Sequence, residues 1–408
     1  MPLAHLAPLR DRNFLRFWSG QTFSAFGDAF AVIAIPLLVL QATGSLRLMG
    51  VVTALAGVSA MVTGVFCGSL VDRVDRRLLM IGCDLARVVL CLTVPLVWWW
   101  HGPHLWLAVL VAVLLAAFGM LFGITYVTAV PNLVQDGAIT QANGVLGASE
   151  SLAYAIGPAV AGLVIAEFGA AAAIGIDGLT FLISAVTLTM LRFQRPQAER
   201  PTPGPGVFAE FTLGARFLAA SSLFRWVTAT TAVILFFVTG LNDLVIFYVK
   251  ETLLRDDTAV GLVFACSSLG AVLSGLTIAW MRERFGFGAC YLVGTIFEGI
   301  ALLLVGFGPG LAALSVIMVV ATFSGTIRGT LTMTIRQELT PDHMLGRVTA
   351  AFWASFMLPG AIGTVVMTGL GARIGAAYAI GVIGAMLVLV PLVAMRSSMN
   401  RRVPQLTD

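Results

Sequence analysis

The chain has 408 residues, 59% of them hydrophobic and only 11% charged, with a net charge of +4. A soluble protein carries about a quarter charged residues, so this composition excludes a water-soluble globular fold, and lipid must be the solvent. The small positive balance is no nucleic-acid signal. A spanning helix needs roughly 20 apolar residues, and about twelve such runs fit, with short loops that leave little room for a soluble domain.

The first run covers 14–41. It follows a charged tail and is too long for a secretory apolar core, so we read no cleavable signal peptide. Asp28 lies about 14 residues into it, roughly 21 Å at 1.5 Å per residue, near mid-membrane. Gln21, Ser24 and Asp28 share one helical face. Charge inside a bilayer is costly, which makes Asp28 a candidate for substrate or proton coupling. The competing reading is a polar patch between helices.

The second run, 47–71, ends in the charge cluster Gly68-Ser69-Leu70-Val71-Asp72-Arg73-Val74-Asp75-Arg76-Arg77. A loop so short and so charged, pinned between membrane-length stretches, reads as a tight cytoplasmic turn. The third run, 78–100, carries Asp84 and Arg87 three residues apart. We read them as a pair on one helix face that neutralises itself and ties the loop to its helix. Trp98, Trp99 and Trp100 close this run as an aromatic belt at the outer interface.

Runs at 105–130, 140–167 and 171–191 complete a first set of six. Glu150, Tyr154 and Pro158 form a stripe along the fifth. A carboxyl without a cation on its own helix can take up and release a proton as its surroundings change, and a local interhelical hydrogen bond is the alternative role. Gly157, Pro158 and Gly162 give this helix a kink and a close-approach face, against ordinary glycine packing as the plainer reading. Asp177, near the start of the sixth run, reads as interfacial.

The stretch 192–216, with Pro196, Pro201, Pro203 and Pro205, reads as a non-helical linker. Six further runs follow at 222–248, 258–281, 288–308, 310–335, 345–371 and 374–396. Asp243 falls near the outer end of the seventh and reads as half-solvated. Glu298 in the ninth and Arg328 in the tenth read as mutual neutralisation or gating. The fold class is therefore an all-α membrane protein: an N-terminal half over 1–191, a cytoplasmic linker over 192–216 and a C-terminal half over 217–408.

The halves look related. Asn132 onward, through Ala142-Asn143 to Gly157-Pro158, parallels Arg336 onward, through Gly346-Arg347 to Pro359-Gly360, and Gly27-Asp28 parallels Asn242-Asp243. Arginines crowd one set of loops, around 10–16, 73–77, 192–216, 282–284, 336–347 and 396–402. That bias puts those loops and both termini in the cytoplasm. Lys250 is the one lysine in the chain, a bias that fits a GC-rich, bacterial genome. The five cysteines lack metal-ligand spacing, the histidines fall in tails and loops, and no phosphate-cradling Gly-x-x-x-x-Gly-Lys motif is present. Neither a metal site, nor an ATP-driven pump, nor an intramembrane enzyme has residues to support it.

With these features in place, the chain resembles a major facilitator superfamily transporter, and within it the bacterial macrolide-efflux and enterobactin-exporter type. The likeness rests on Arg12-Asn13-Phe14, Gly27-Asp28, Pro36-Leu37-Leu38, the Asp72 to Arg77 loop, Asp84-Leu85-Ala86-Arg87, Ala142-Asn143, Gly157-Pro158 and Gly346-Arg347-Val348. Two six-helix bundles with a substrate site at their interface are what it implies. It further implies that Gly68, Asp72, Arg73, Arg76 and Arg77, with Asp84 and Arg87, latch the cytoplasmic side. Asp28, Glu150, Gln21, Tyr154, Asp243, Glu298 and Arg328 are the candidates for substrate and proton coupling. The expected activity is proton-driven efflux of a small amphipathic compound, with import, symport or ligand sensing as alternatives. No cofactor beyond the proton gradient, a small-molecule substrate and lipid as partners, a monomer, and a bacterial inner-membrane location complete the expectation. Four departures stand out: Asp75 replaces the loop's usual glycine, the matching loop at 282–286 is degenerate, the fourth run lacks the arginine common in drug–proton antiporters, and the Gly157-Pro158 motif has fewer glycines than the antiporter motif it resembles.

The charge bias yields a direct test. Cysteines introduced at positions within 195–210 should react with a membrane-impermeant thiol reagent only from the cytoplasmic side; labelling from outside would reverse the topology.

Overall fold

The structure, a computed structural model, describes residues 9–67, 71, 74–130, 133–134, 139–191, 207–341 and 344–394. Among these every regular element is helical. Helix α1 spans Arg12–Thr43 and starts where Asp11, extended, accepts hydrogen bonds from the amides of Asn13 at 2.7 Å and Phe14 at 3.3 Å. Those amides have no partner within the helix, so a side-chain oxygen fixes the start. Helix α2 is Leu46–Phe66. Helix α3, Arg76–His101, is capped by Asp75, whose carboxylate accepts from the Leu78 amide at 2.9 Å. The departure from the family loop thus has a local purpose: a cap replaces a flexible glycine.

Helix α4 is Leu105–Ala129, and α5 runs over 51 residues, Ile139–Thr189. At Gly169 the backbone of α5 leaves helical geometry, with φ 81° and ψ 163°. Side chains with a Cβ rarely adopt that conformation, so the fifth and sixth predicted spans are two limbs meeting at Gly169. The chain stays helical through Pro158. Eleven segments among the described residues are long and apolar enough to cross a membrane, and division of the one that runs across Gly169 makes twelve.

Helix α6, Val207–Ala220, begins inside the stretch predicted to be non-helical. Beyond Pro205 and Gly206 no proline remains in that stretch, and apolar residues such as Phe211, Ala215 and Leu218 recur at helical spacing. Helices α7 (Ser222–Val238) and α8 (Leu241–Phe247), with a π-helical turn at Tyr248–Thr252, make the seventh span. Helices α9 (Asp257–Phe285), α10 (Phe287–Val305), α11 (Leu311–Leu339), α12 (Leu345–Ile374) and α13 (Ala376–Ala394) follow.

The chain divides into two compact units: Met1–Gly44 with Leu55–Gly204, and Ser45–Ala54 with Pro205–Asp408. In the first, α1 packs chiefly along α5, which also packs on α3, and α3 packs on α4. In the second, α9 packs on α11, α10 on α13 and α11, and α12 on α7 and α6. The burial pattern is that of a lipid-solvated protein. Val89, Leu96, Leu276 and Val316 face outward while Gln21, Asp84, Arg87 and Asp177 are buried. Trp99, 88% exposed, and Trp100 stand out at the end of α3.

Loss of the α3 cap sets a measurable cost. Asp75→Ala should lower unfolding stability by about 1 kcal/mol, read as a reduced thermal midpoint of purified protein in detergent; an unchanged midpoint would show that the cap contributes nothing.

Candidate functional site

In the first unit the buried guanidinium of Arg87 gathers the site. It makes a short, direct ion pair with Asp84 one helical turn away and lies 3.7 Å from the carboxylate of Asp28 on α1. Its flat faces lie over Phe122 of α4, at 4.5 Å, and Phe181 of α5, at 4.0 Å. A desolvated cation over an aromatic ring gains about 2 kcal/mol, so the rings hold the guanidinium where water does not reach. Span four lacks an arginine; instead it supplies a ring face to the arginine of span three.

The polar chain continues beyond Arg87. Gln21 Nε2 donates to Ser184 Oγ at 2.9 Å, and Ser184 lies beside the Asp84 carboxylate. Asp177 is fully buried behind Asp28, beside Gly27, where an added Cβ would stand 2.3 Å from Asp177 Oδ1. The interfacial reading of Asp177 is therefore corrected: the bend at Gly169 turns the second limb of α5 back against α1 and carries the residue inside. Asp28 itself keeps 44% of its side chain accessible, which makes it the open face of an otherwise closed cluster.

Glu150, on the first limb of α5, is exposed and interacts electrostatically with both Asp28 and Tyr126. Tyr126 in turn stacks with Phe122, ring centroids 6.4 Å apart, and with Phe17 at 5.4 Å. An aromatic stack on α4 thus runs from the Arg87 site towards Glu150. Close by, Trp18 Nε1 donates to Ser149 Oγ at 2.8 Å. Gly157 packs on α1, where an added Cβ would meet the Ala29 side chain at 2.4 Å, and Gly162 is also buried. The side chain of Tyr154 lies outside the described residues.

The second unit neutralises its charges differently. Arg328 of α11 donates to both carboxylate oxygens of Glu298 on α10, at 3.1 Å each from Nη2, and both residues are buried. Asp243 is buried too, 2% exposed rather than half-solvated, because α8 packs against α12 and α13. Its side chain lies near Thr53, within the stretch of α2 that belongs to this unit. Among the described residues no three acidic, histidine or cysteine side chains cluster to hold a metal ion.

Of the loop residues, Gly68, Asp72 and Arg73 lie outside the described residues. Arg77 is within them, and its guanidinium donates to the carbonyls of Leu188, at 2.8 Å, and Thr189. Arg16 reaches the next carbonyl, Met190, at 3.4 Å. Two arginines therefore cap the C-terminus of α5, where carbonyls lack partners and the helix dipole is negative. The sequence set Asp177 at the interface and gave no sign of Ser184 or of the two rings around Arg87. A lone acid in an apolar run was the one available signal for Asp177; the others become visible only through packing.

Comparison with known proteins agrees with this architecture. The chain matches the transmembrane secretion effectors over residues 3–406 and belongs to that family of the major facilitator superfamily. It is 27% identical over 355 residues to the multidrug efflux pump Tap of Mycolicibacterium fortuitum, covering 83% of this chain and 84% of the relative. It is 28% identical over 372 residues to the enterobactin exporter EntS of Salmonella typhimurium, covering 89% and 86%. Among solved structures, the nucleoside transporter NupG superposes with a TM-score of 0.74 at 12% identity, over 94% of this chain and 98% of that one. A bacterial homologue of the iron transporter ferroportin gives 0.71 at 16% identity, over 96% and 99%. These similarities establish a multi-pass membrane transporter of the facilitator fold.

The Glu298–Arg328 pair gives a graded test. Glu298→Ala strands a buried guanidinium and should cost about 3 to 5 kcal/mol, whereas replacing both residues with Met should recover most of that loss. Thermal unfolding of the single and double variants decides; a double variant as unstable as the single would show that neighbours other than the partner set the cost.

Proposed function

We propose that this transmembrane secretion effector exports a small amphipathic compound in exchange for protons by alternating access. The observation that carries the reading is Asp28, a carboxylate halfway along α1 that keeps an accessible face while sharing Arg87 with Asp84. The cluster holds more carboxyls than cations. A proton, or a cationic group on a substrate, is the missing positive charge. Glu150, within electrostatic reach of Asp28, extends the same acidic surface along α5. Its protonation then responds to which side of the membrane the site faces, which is what antiport requires.

The similarity to pumps named for multidrug and enterobactin export supports outward transport of drug-like or siderophore-like compounds. The proton gradient supplies the energy without a cofactor, and the protein works as a monomer in lipid. The residues from Gly68 to Arg77 act as the conformational latch, with Arg77 anchoring them to the end of α5. The location is the bacterial inner membrane with both termini cytoplasmic. Transport in this reading needs no chemistry on the substrate, so the protein is not an enzyme.

Everted membrane vesicles test the scheme, with the fluorescent lipophilic cation ethidium as probe. Wild type should accumulate it in response to an imposed pH gradient. Glu150→Gln should permit downhill exchange yet ignore the gradient, and Asp28→Asn should weaken retention of the cation. If Glu150→Gln concentrates ethidium as well as wild type, Glu150 is a hydrogen-bonding group and not a carrier of protons.

A further inference from the structure

Asp177 is the group in the first unit that the family pattern does not explain. It is 0% exposed, and among the described residues its Oδ2 has no hydrogen-bond partner. Oδ1 accepts from the Thr180 hydroxyl at 3.3 Å, a long bond that the hydroxyl shares with the Asp177 carbonyl at 2.8 Å. The carboxyl occupies the space left by the missing side chain of Gly27, next to Asp28 in sequence. Among the described residues, the groups that face it are few. From α1 comes Asp28, from α3 come Arg87 and the buried thiol of Cys91, and from its own helix comes Thr180.

Charge counting then discriminates among the carboxyls. Arg87 is a single positive charge that stays protonated in proteins. Asp84 claims it by direct contact, and Asp28 lies near it with 44% of its side chain accessible. Asp177 has neither a cation of its own nor water. An ion left in that position would forfeit its hydration for one weak hydrogen bond, a far larger penalty than burying a neutral acid. The carboxylic acid suits the site, and its hydroxyl gives the otherwise unpartnered oxygen a proton.

We propose that Asp177 holds one of the protons that this transporter exchanges, and that Asp28 is its route to water. This rests on the proton-driven reading above. In the exchange step the O–H bond on Asp177 breaks as one forms on a carboxylate oxygen of Asp28. The charge of the cluster is unchanged until Asp28 releases the proton to water. Arg87 stands beside both carboxyls and stabilises whichever one is ionised. Gly27 is the positioning residue, since any side chain there would push Asp177 away from the pair.

Infrared spectroscopy of the purified protein in lipid nanodiscs reads the proton directly. Wild type should show the C=O band of a protonated carboxyl that shifts in heavy water. The band should vanish in Asp177→Asn and persist in Asp28→Asn. A wild type without such a band, or a band unchanged in Asp177→Asn, overturns the assignment. Should Asp177→Asn fail to fold, Thr180→Val decides: loss of its hydrogen bond should raise the band's frequency, and an unmoved band overturns the assignment. In everted vesicles with ethidium, Asp177→Asn should lose the response to a pH gradient while downhill exchange continues. An intact response in that variant sinks the role of Asp177 alone, whereas a wild type blind to the gradient sinks the proton-driven reading itself.

Discussion

A guanidinium cannot shed its charge to suit a low-dielectric interior, and the first unit is arranged around that constraint. Arg87 is compensated from four helices. Asp84 answers it from its own helix, Asp28 from α1, Phe122 from α4 and Phe181 from α5. None of these would suffice alone. The direct carboxylate neutralises it, the rings exclude water from its faces, and the more distant Asp28 leaves the balance open to a further charge. The packing of α1 along α5 and of α5 on α3 is what brings these partners to one depth.

The second unit meets the same physical demand with a closed solution. Glu298 and Arg328 satisfy each other through paired hydrogen bonds and are shut off from solvent. Nearby, Tyr291 bonds the hydroxyls of Thr230 and Thr231 at 3.1 Å each. A balanced buried pair has little reason to exchange protons or recruit a cation, because either event would break good bonds. The unbalanced cluster has such a reason. In the proposed mechanism this makes the first unit the responsive one, while the charges of the second hold its helices in register.

The departures from the family pattern become intelligible once the neighbours are known. Asp75, in the place of a glycine, caps α3. The missing arginine of span four is matched by Phe122, which receives the arginine of span three on its face. Each substitution keeps a charge or a helix end satisfied by other means, because an unsatisfied one in this setting costs several kcal/mol.

Some of this was legible in the chain alone. Apolar runs of membrane length must become helices, since lipid offers no hydrogen bonds to an unpaired backbone, so the twelve spans could be counted from composition and spacing. The charged loop before Arg76 identified the superfamily, and acids in apolar runs marked Asp28, Glu150, Asp243 and Glu298 as residues to watch. Tertiary structure decided what those residues face. Asp177 looked interfacial because it stands near a span's start; the bend at Gly169 brings it under Gly27 instead. Asp243 looked half-solvated until α12 and α13 covered it. Asp84 and Arg87 looked self-sufficient, and only the packing of α1 adds Asp28 as a second claimant on the same arginine. Helical spacing states which residues share a face, but which face meets which is settled by close approach between helices distant in sequence, and the charge balance of the site depends on that.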